Sequence, residues 1–310
     1  MKHIALGVSE LRVPNVILGM MRIPEKTDEE IRDLVRVARD HGIDYFDHAD
    51  IYGGALHRCE TRFAEALQLS ASDRAQTTIQ TKTGIVPSGG YYDFSYEHIV
   101  ESAEASLRAL QTDYIDVFLL HRPDTLVEPA EVARAFDELA SSGKVRAFGV
   151  SNHTPGQIEL LKTAVEQPLL INQMQLSMVH APLIAQGIAA NVAGLEQSYS
   201  LDNDVLNYSR INRMTLQTWG PIQSGKNEGP FLGSEDYPEL NAVIERLAEK
   251  YEVTPLAIAT AWITRHPAEM QVVIGSTTPS RVSEAAAGSE LPLTRQEWYE
   301  LFRVAGHVIP

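Results

Sequence analysis

The sequence predicts an α/β protein, a closed (β/α)8 TIM barrel, on three observations. Short apolar runs alternate with longer amphipathic segments about eight times along the chain. No Pro/Gly/Ser-rich linker and no charge discontinuity divides it. Its 310 residues suit one large barrel. Repeated strand–helix alternation means parallel strands, and eight units suggest closure rather than an open sheet. One domain spanning residues 1–310 is expected, with an N-terminal β-hairpin and extra C-terminal helices.

Each element has its own signal. The stretch before residue 16 alternates weakly and suits a hairpin outside the barrel. Val16–Met20 reads as the first barrel strand. Thr27 or Asp28 then caps a helix with Ile31, Leu34, Val35 and Ala38 on one face, stopped at His41-Gly42. Tyr45-Phe46 begins the second strand and runs into Asp47-His48-Ala49-Asp50. A helix carries Phe63, Ala66 and Leu67. Thr78–Thr81 is strand three. Ser95–Leu110 is helical, and Ile115–Leu120 is a nearly continuous apolar strand, as burial on both faces requires. A helix over Pro129–Leu139 ends at Ser142-Gly143.

Val145–Val150 is strand five, followed by a helix over Pro155–Val165 and a strand at Leu169–Ile171. One or two helices occupy 180–210. Met214–Gln217 is strand seven. Helices cover 237–250 and 255–265, the second opened by Thr254-Pro255. Val272–Ile274 is strand eight, and helices near 279–287 and 294–305 close the chain. The long Gly/Pro-rich loops at 84–94 and 220–236 are candidate lids.

Composition narrows the function. Hydrophobic residues at 44% against 22% charged describe a globular chain and exclude disorder. A net charge of -15 argues against nucleic-acid and membrane partners, while leaving room for a local pocket that takes one phosphate ligand. A lone cysteine, Cys59, excludes an internal disulfide and a thiolate metal cluster. No apolar run approaches a membrane span of ~18 residues. The N-terminal apolar run is broken by Ser9-Glu10-Leu11-Arg12, so no signal peptide is read and the cytoplasm is the expected address.

In a barrel of this kind the active site lies at the C-terminal strand ends. Strand two ends at Asp47, with Tyr52 just beyond; strand three gives Lys82 and strand four His121. Singly, each has an ordinary structural explanation: a surface lysine, a loop-capping aspartate, a packed tyrosine, a structural histidine. Together they can act as a unit. A free tyrosine, with a pKa near ~10, is a poor proton donor at neutral pH. An adjacent ammonium favours its phenolate and lowers that value, and a carboxylate can hold the ammonium. With a histidine bonded to a substrate oxygen, the set protonates a developing alkoxide, the species that forms when hydride adds to a carbonyl.

Five motifs occur in order: Gly42-Ile43-Asp44-Tyr45-Phe46-Asp47-His48-Ala49-Asp50-Ile51-Tyr52-Gly53, Thr81-Lys82-Thr83-Gly84, Ser106–Asp116, Leu119-Leu120-His121-Arg122-Pro123-Asp124 and Gly143–Asn152. On them the chain resembles the aldo-keto reductase family over nearly its whole length, most closely a bacterial oxidoreductase branch. The resemblance implies NAD(P)H-dependent reduction of aldehydes and ketones without a metal. Tyr52 would be the proton donor, Lys82 its activator, Asp47 the anchor of Lys82 and His121 the group orienting the carbonyl. Ser151, Asn152 and Gln173 match positions that hold the nicotinamide carboxamide, and Trp219 the aromatic that stacks on its face. Met21 is also counted among the cofactor-binding residues.

Gly220, Pro221 and Ile222 match the pyrophosphate wrap, Ser276 and Arg281 the adenosine-phosphate segment, and Glu284 the adenine contact. Gly275 and Thr278 stand where the family often has lysine, which removes one charge from the 2′-phosphate site. Arg281 is retained, so NADP(H) is favoured, with NAD(H) as the alternative. No Gly-x-Gly-x-x-Gly follows a strand, so a Rossmann site is not the source of nicotinamide binding.

Met21, Arg22, Tyr52, Tyr91, Tyr92, Arg122 and Trp219 are candidates for the substrate pocket, whose aromatic, apolar rim would suit hydrophobic aldehydes and ketones; Tyr91 and Tyr92 read equally well as exposed loop residues. Arg122 would attract a carboxylate or pair with Asp124. The expected partner is a small carbonyl or alcohol, and the expected state a monomer or weak homo-oligomer.

Two rival readings remain. A metal-dependent barrel hydrolase would use Asp44, Asp47, His48, Asp50 and His121, but strand alternation sends Asp44 and His48 to the face opposite Asp47. A nucleotide-binding regulatory subunit on the same fold would keep the nucleotide and turn over slowly.

Overall fold

A computed structural model of the chain describes residues 1–225 and 229–310. The hairpin is present: β1 (His3–Ala5) pairs antiparallel with β2 (Arg12–Pro14). The barrel is built from eight parallel strands, β3 (Val16–Gly19), β4 (Tyr45–Asp47), β5 (Thr78–Thr83), β8 (Val117–Leu120), β9 (Phe148–Ser151), β10 (Leu169–Gln175), β11 (Thr215–Trp219) and β12 (Gln271–Ile274), and β12 closes it against β3. Two short strands outside it, β6 (Ile85–Val86) and β7 (Tyr91–Tyr92), form a second hairpin within the 84–94 loop.

The helices begin where side-chain chemistry dictates. Thr27 accepts the Glu30 N–H while the Glu30 carboxylate accepts the Thr27 N–H at 2.8 Å, a capping box that starts the helix Asp28–Asp40. Ile31, Leu34, Val35 and Ala38 are its buried face, as the periodicity predicts. Ser95 and Thr254 cap Tyr96–Leu110 and Pro255–Thr264 by a single side-chain bond each, accepting the His98 and Ala257 N–H groups. Of the two last helices, Pro279–Ala287 completes the eighth unit and Arg295–Val304 is the addition. The addition is locked by Trp262 and Trp298, whose rings stack at 5.0 Å while each indole N–H donates to the other's backbone carbonyl.

The barrel interior is stratified. At the N-terminal end Ile4, Leu6 and Val13 of the hairpin plug it against Ile17, Tyr45 and Leu119. Above that apolar floor the filling becomes polar, and strand six runs on past its apolar residues. The sequence reading ends strand six at Ile171, but β10 continues through Asn172 and Gln173 to Gln175, paired to β9 and β11. Apolar patterning cannot detect a strand whose inward residues are glutamines. The helix expected over Pro155–Val165 stops at Leu161. The short helix Ala71–Ala75 and the second hairpin have no periodic signal long enough to read. Among the described residues no helix is long and apolar enough to cross a membrane.

Candidate active site

A belt of glutamines supports the site from below. Gln217 accepts N–H bonds from Gln80 at 2.9 Å and Gln173 at 3.0 Å, and donates to Gln80 and Gln271, each at 3.0 Å. Tyr45 donates its hydroxyl to Gln80 at 2.7 Å. All are buried, so each bond replaces one that would otherwise be lost to water. Gln80 and Gln173 also donate upward to Asp47, the latter at 3.1 Å. Uncharged amide donors thus meet a buried carboxylate from below while a cation meets it from the side. Gln80 shares the inward face of β5 with Lys82, and its position two residues before Lys82 is the signal that would have found it.

Lys82 is fully buried. Its ammonium reaches both Asp47 carboxylate oxygens at 2.7 and 2.8 Å, the His48 carbonyl at 2.7 Å and the Tyr52 hydroxyl at 3.2 Å. Its donors are therefore spent on one carboxylate, one carbonyl and one phenol. Burial is the largest single influence on Lys82 and opposes its charge, but the Asp47 carboxylate and the Tyr52 hydroxyl together outweigh it, and the ammonium titrates above its ordinary value. For Tyr52 the expectation needs correction. Burial raises the phenol pKa; Lys82 pulls it down as expected, but the net displacement is upward. His121 stands edge-on to Tyr52, ring centroids 5.8 Å apart, and its Nδ1 is buried without a partner among the described residues. Burial, then the Lys82 and Arg122 cations, hold this imidazole well below its ordinary pKa. It is neutral at physiological pH.

These groups open into a cleft of about 560 Å³ at the C-terminal end of the barrel. Asp47, Tyr52 and His121 line it, as do Met21, Ser151, Asn152, Gln173, Trp219, Gly220, Pro221, Ile222, Ser276 and Arg281. Lys82 lies beneath its floor. Glu284, one turn past Arg281 on the helix Pro279–Ala287, is not part of the wall. The carboxamide trio is already bonded within the protein. Asn152 donates to the His121 carbonyl at 3.2 Å and to Ser151 at 2.8 Å, and accepts from the Trp219 indole at 3.1 Å. Ser151 donates to the Gln173 carbonyl at 2.9 Å. Gln173 spends its N–H groups on Asp47 and Gln217, leaving its side-chain carbonyl as the remaining acceptor.

The rim differs from the aromatic one expected. Tyr91 and Tyr92 are exposed on the second hairpin and do not line the cleft. Arg22, Arg122, Gln175 and Gln223 do, and the two glutamines were missed because they follow the apolar runs. Arg122 does not pair with Asp124, whose carboxylate accepts the Phe94 and Leu126 N–H groups at 3.1 and 2.8 Å. Of the candidate lids, the 84–94 loop is pinned by the Asp93 N–H on the Gly84 carbonyl at 3.0 Å. The described part of 220–236 forms cleft wall and buries Phe231; residues 226–228 of that loop lie outside the described residues.

Asp44, Asp47, His48 and Asp50 do not converge. Asp47 turns inward to Lys82, Asp50 accepts from Ser102 at 3.0 Å, and His48 packs outward with its ring centroid 4.8 Å from that of Phe63. Both His48 ring nitrogens are buried without partners among the described residues. Burial lowers its pKa to about 4 from an ordinary 6.5. The unfolded chain therefore takes up this proton first, and stability is lost as pH falls through that interval. His48→Met should remove about 3 kcal/mol of the decline between about pH 7 and pH 4. Urea unfolding of both proteins at the two pH values checks this, and parallel declines would refute it.

Residues 15–305 match the Aldo/keto reductase family model. The chain is 32% identical to the 6-dehydroglucose reductase of Agrobacterium fabrum over 98% of each chain. It is 36% identical to the oxidoreductase YdhF of Escherichia coli, over 95% of this chain and 94% of that one. Among solved structures, a thermostable aldo-keto reductase superposes with a TM-score of 0.77, covering 98% of this chain and 100% of the other; at 21% identity this likeness speaks for the fold.

Proposed function

The chain belongs to the Aldo/keto reductase family, and from that premise we propose that it reduces aldehyde and ketone carbonyls to alcohols with NADP(H), Tyr52 supplying the proton. The observation that carries the reading is the Tyr52 hydroxyl 3.2 Å from the Lys82 ammonium, which is itself bound to Asp47 at 2.7 Å, at the floor of the cleft.

The cleft suits a nicotinamide dinucleotide. Trp219, held by its bond to Asn152, offers a flat face near the acid–base groups. At the other end Ser276 and Arg281 stand at the start of the helix Pro279–Ala287, whose positive dipole end favours phosphate. A nicotinamide bound there supplies the hydride. Tyr52 donates its proton to the oxygen on which negative charge develops. The Lys82 cation stabilises the phenolate left behind, and Asp47 keeps that cation in place. Neutral His121 offers an N–H to the carbonyl oxygen without competing as an acid. Tyr52 is protonated at neutral pH, as a donor must be, and the Lys82 cation offsets part of the upward displacement that burial imposes on its phenol.

Arg281 supports a 2′-phosphate and hence NADP(H) over NAD(H). Arg281→Ala should weaken NADPH about tenfold, as for loss of one charged hydrogen bond, and NADH much less. Equal weakening in nucleotide titrations would remove that role. Arg22, Arg122, Gln175 and Gln223, set in an otherwise largely apolar lining, suit a carbonyl compound that carries polar groups, consistent with the name of the Agrobacterium relative. We place the protein in the cytoplasm as one barrel domain. The test of the reaction class is oxidation of NADPH and NADH, followed by nicotinamide absorbance, with a panel of aldehydes, α-diketones and aryl ketones. Turnover with none of them would leave the regulatory reading in its place.

A further inference from the structure

We infer that Arg122 is a specificity-determining residue, selecting carbonyl substrates that carry an anionic oxyacid group, a carboxylate or a phosphate. The inference rests on the carbonyl-reductase reading above.

Arg122 follows His121 directly at the end of β8, and both side chains line the cleft. Its guanidinium lies over the Trp219 ring, 5.8 Å from the centroid, and that ring is fixed by the indole bond to Asn152. The cation is therefore placed beside the carbonyl-orienting histidine by a rigid support. Asp124, the nearest carboxylate in sequence, is committed to the Phe94 and Leu126 amides. Among the described residues, no Asp or Glu forms an ion pair with Arg122.

The charge balance of the cleft points the same way. Among the described lining residues Asp47 is the one carboxylate, and it is neutralised by Lys82. Three guanidiniums, Arg22, Arg122 and Arg281, face it on a chain of net charge -15. Arg22 donates to the Gly275 carbonyl at 2.9 Å, and Arg281 sits on the helix that follows. Both are at the phosphate end. Arg122 is at the other end, next to the acid–base groups. Open to water, a guanidinium costs little. Once substrate and nucleotide cover the cleft, it loses hydration and needs an anion in exchange. Its planar fork matches the two oxygens of a carboxylate or phosphate.

Paired substrates test this in the holoenzyme: 4-carboxybenzaldehyde against benzaldehyde, and glyceraldehyde 3-phosphate against glyceraldehyde. In the wild type kcat/KM should favour the anionic member of each pair by about tenfold or more, chiefly through KM. Arg122→Leu should bring the ratio close to one, and Arg122→Lys should restore part of it. A preference in one pair alone would identify which oxyacid the site takes. Equal or reversed preference in the wild type overturns the inference while leaving the reductase reading standing. So does Arg122→Leu lowering both members by one factor. No turnover of any member with either nucleotide overturns both.

Discussion

Replacing Tyr52 by phenylalanine is expected to slow carbonyl reduction by about 10²–10⁴-fold, the range of a lost general acid. Nucleotide affinity and folding should stay near wild type. The substitution removes one hydroxyl and keeps the ring that packs against His121. Lys82 loses a single bond of 3.2 Å and retains both Asp47 oxygens and the His48 carbonyl. The stability cost should therefore be about 1 kcal/mol. Reductase rate, nucleotide titration and urea midpoint, measured on one preparation, separate the chemical role from a packing role. Undiminished turnover would mean that another group delivers the proton. A loss of rate matched by a loss of nucleotide binding would place Tyr52 in the binding wall instead.

The second large effect is expected at Lys82. Lys82→Met leaves the Asp47 carboxylate buried with only the Gln80 and Gln173 amides, a loss that typically costs about 3–5 kcal/mol. Turnover should fall as well, because the phenolate formed on Tyr52 would have no cation beside it. Adding Asp47→Asn separates the two consequences. The double variant buries no uncompensated charge, so most of the stability should return while reduction stays low. Recovery of both would assign the pair a purely structural role. Recovery of neither would show that the glutamine belt needs the Asp47 carboxylate as its acceptor.

That belt bears on how finely the site is set. Gln80, Gln173 and Gln217 come from β5, β10 and β11 and meet inside the barrel. A small displacement of one strand would move a donor to Asp47, then the Lys82 ammonium, then the Tyr52 hydroxyl. Pre-organised donors of this kind cost no reorganisation during the reaction.

Much of the architecture follows from local sequence. The alternating strands and helices, their order, the first hairpin and most helix starts are written in periodicity and capping chemistry, which act between neighbours. Asp47, Tyr52, Lys82 and His121 are readable for the same reason: each stands at or just past the C-terminal end of a strand, and a parallel barrel brings those ends to one face. Arg122 can be noticed, but not its partner. The interior path of β10, the glutamine belt, the upward displacement of the Tyr52 phenol, the removal of Tyr91 and Tyr92 from the cleft and the placement of the Arg122 guanidinium over Trp219 arise only on closure. Each depends on burial or on contacts such as Gln80 with Gln217, separated by 137 positions. A one-dimensional pattern records which residues are apolar and how they repeat, but dielectric, desolvation and long-range donor–acceptor pairing come into being when the barrel shuts.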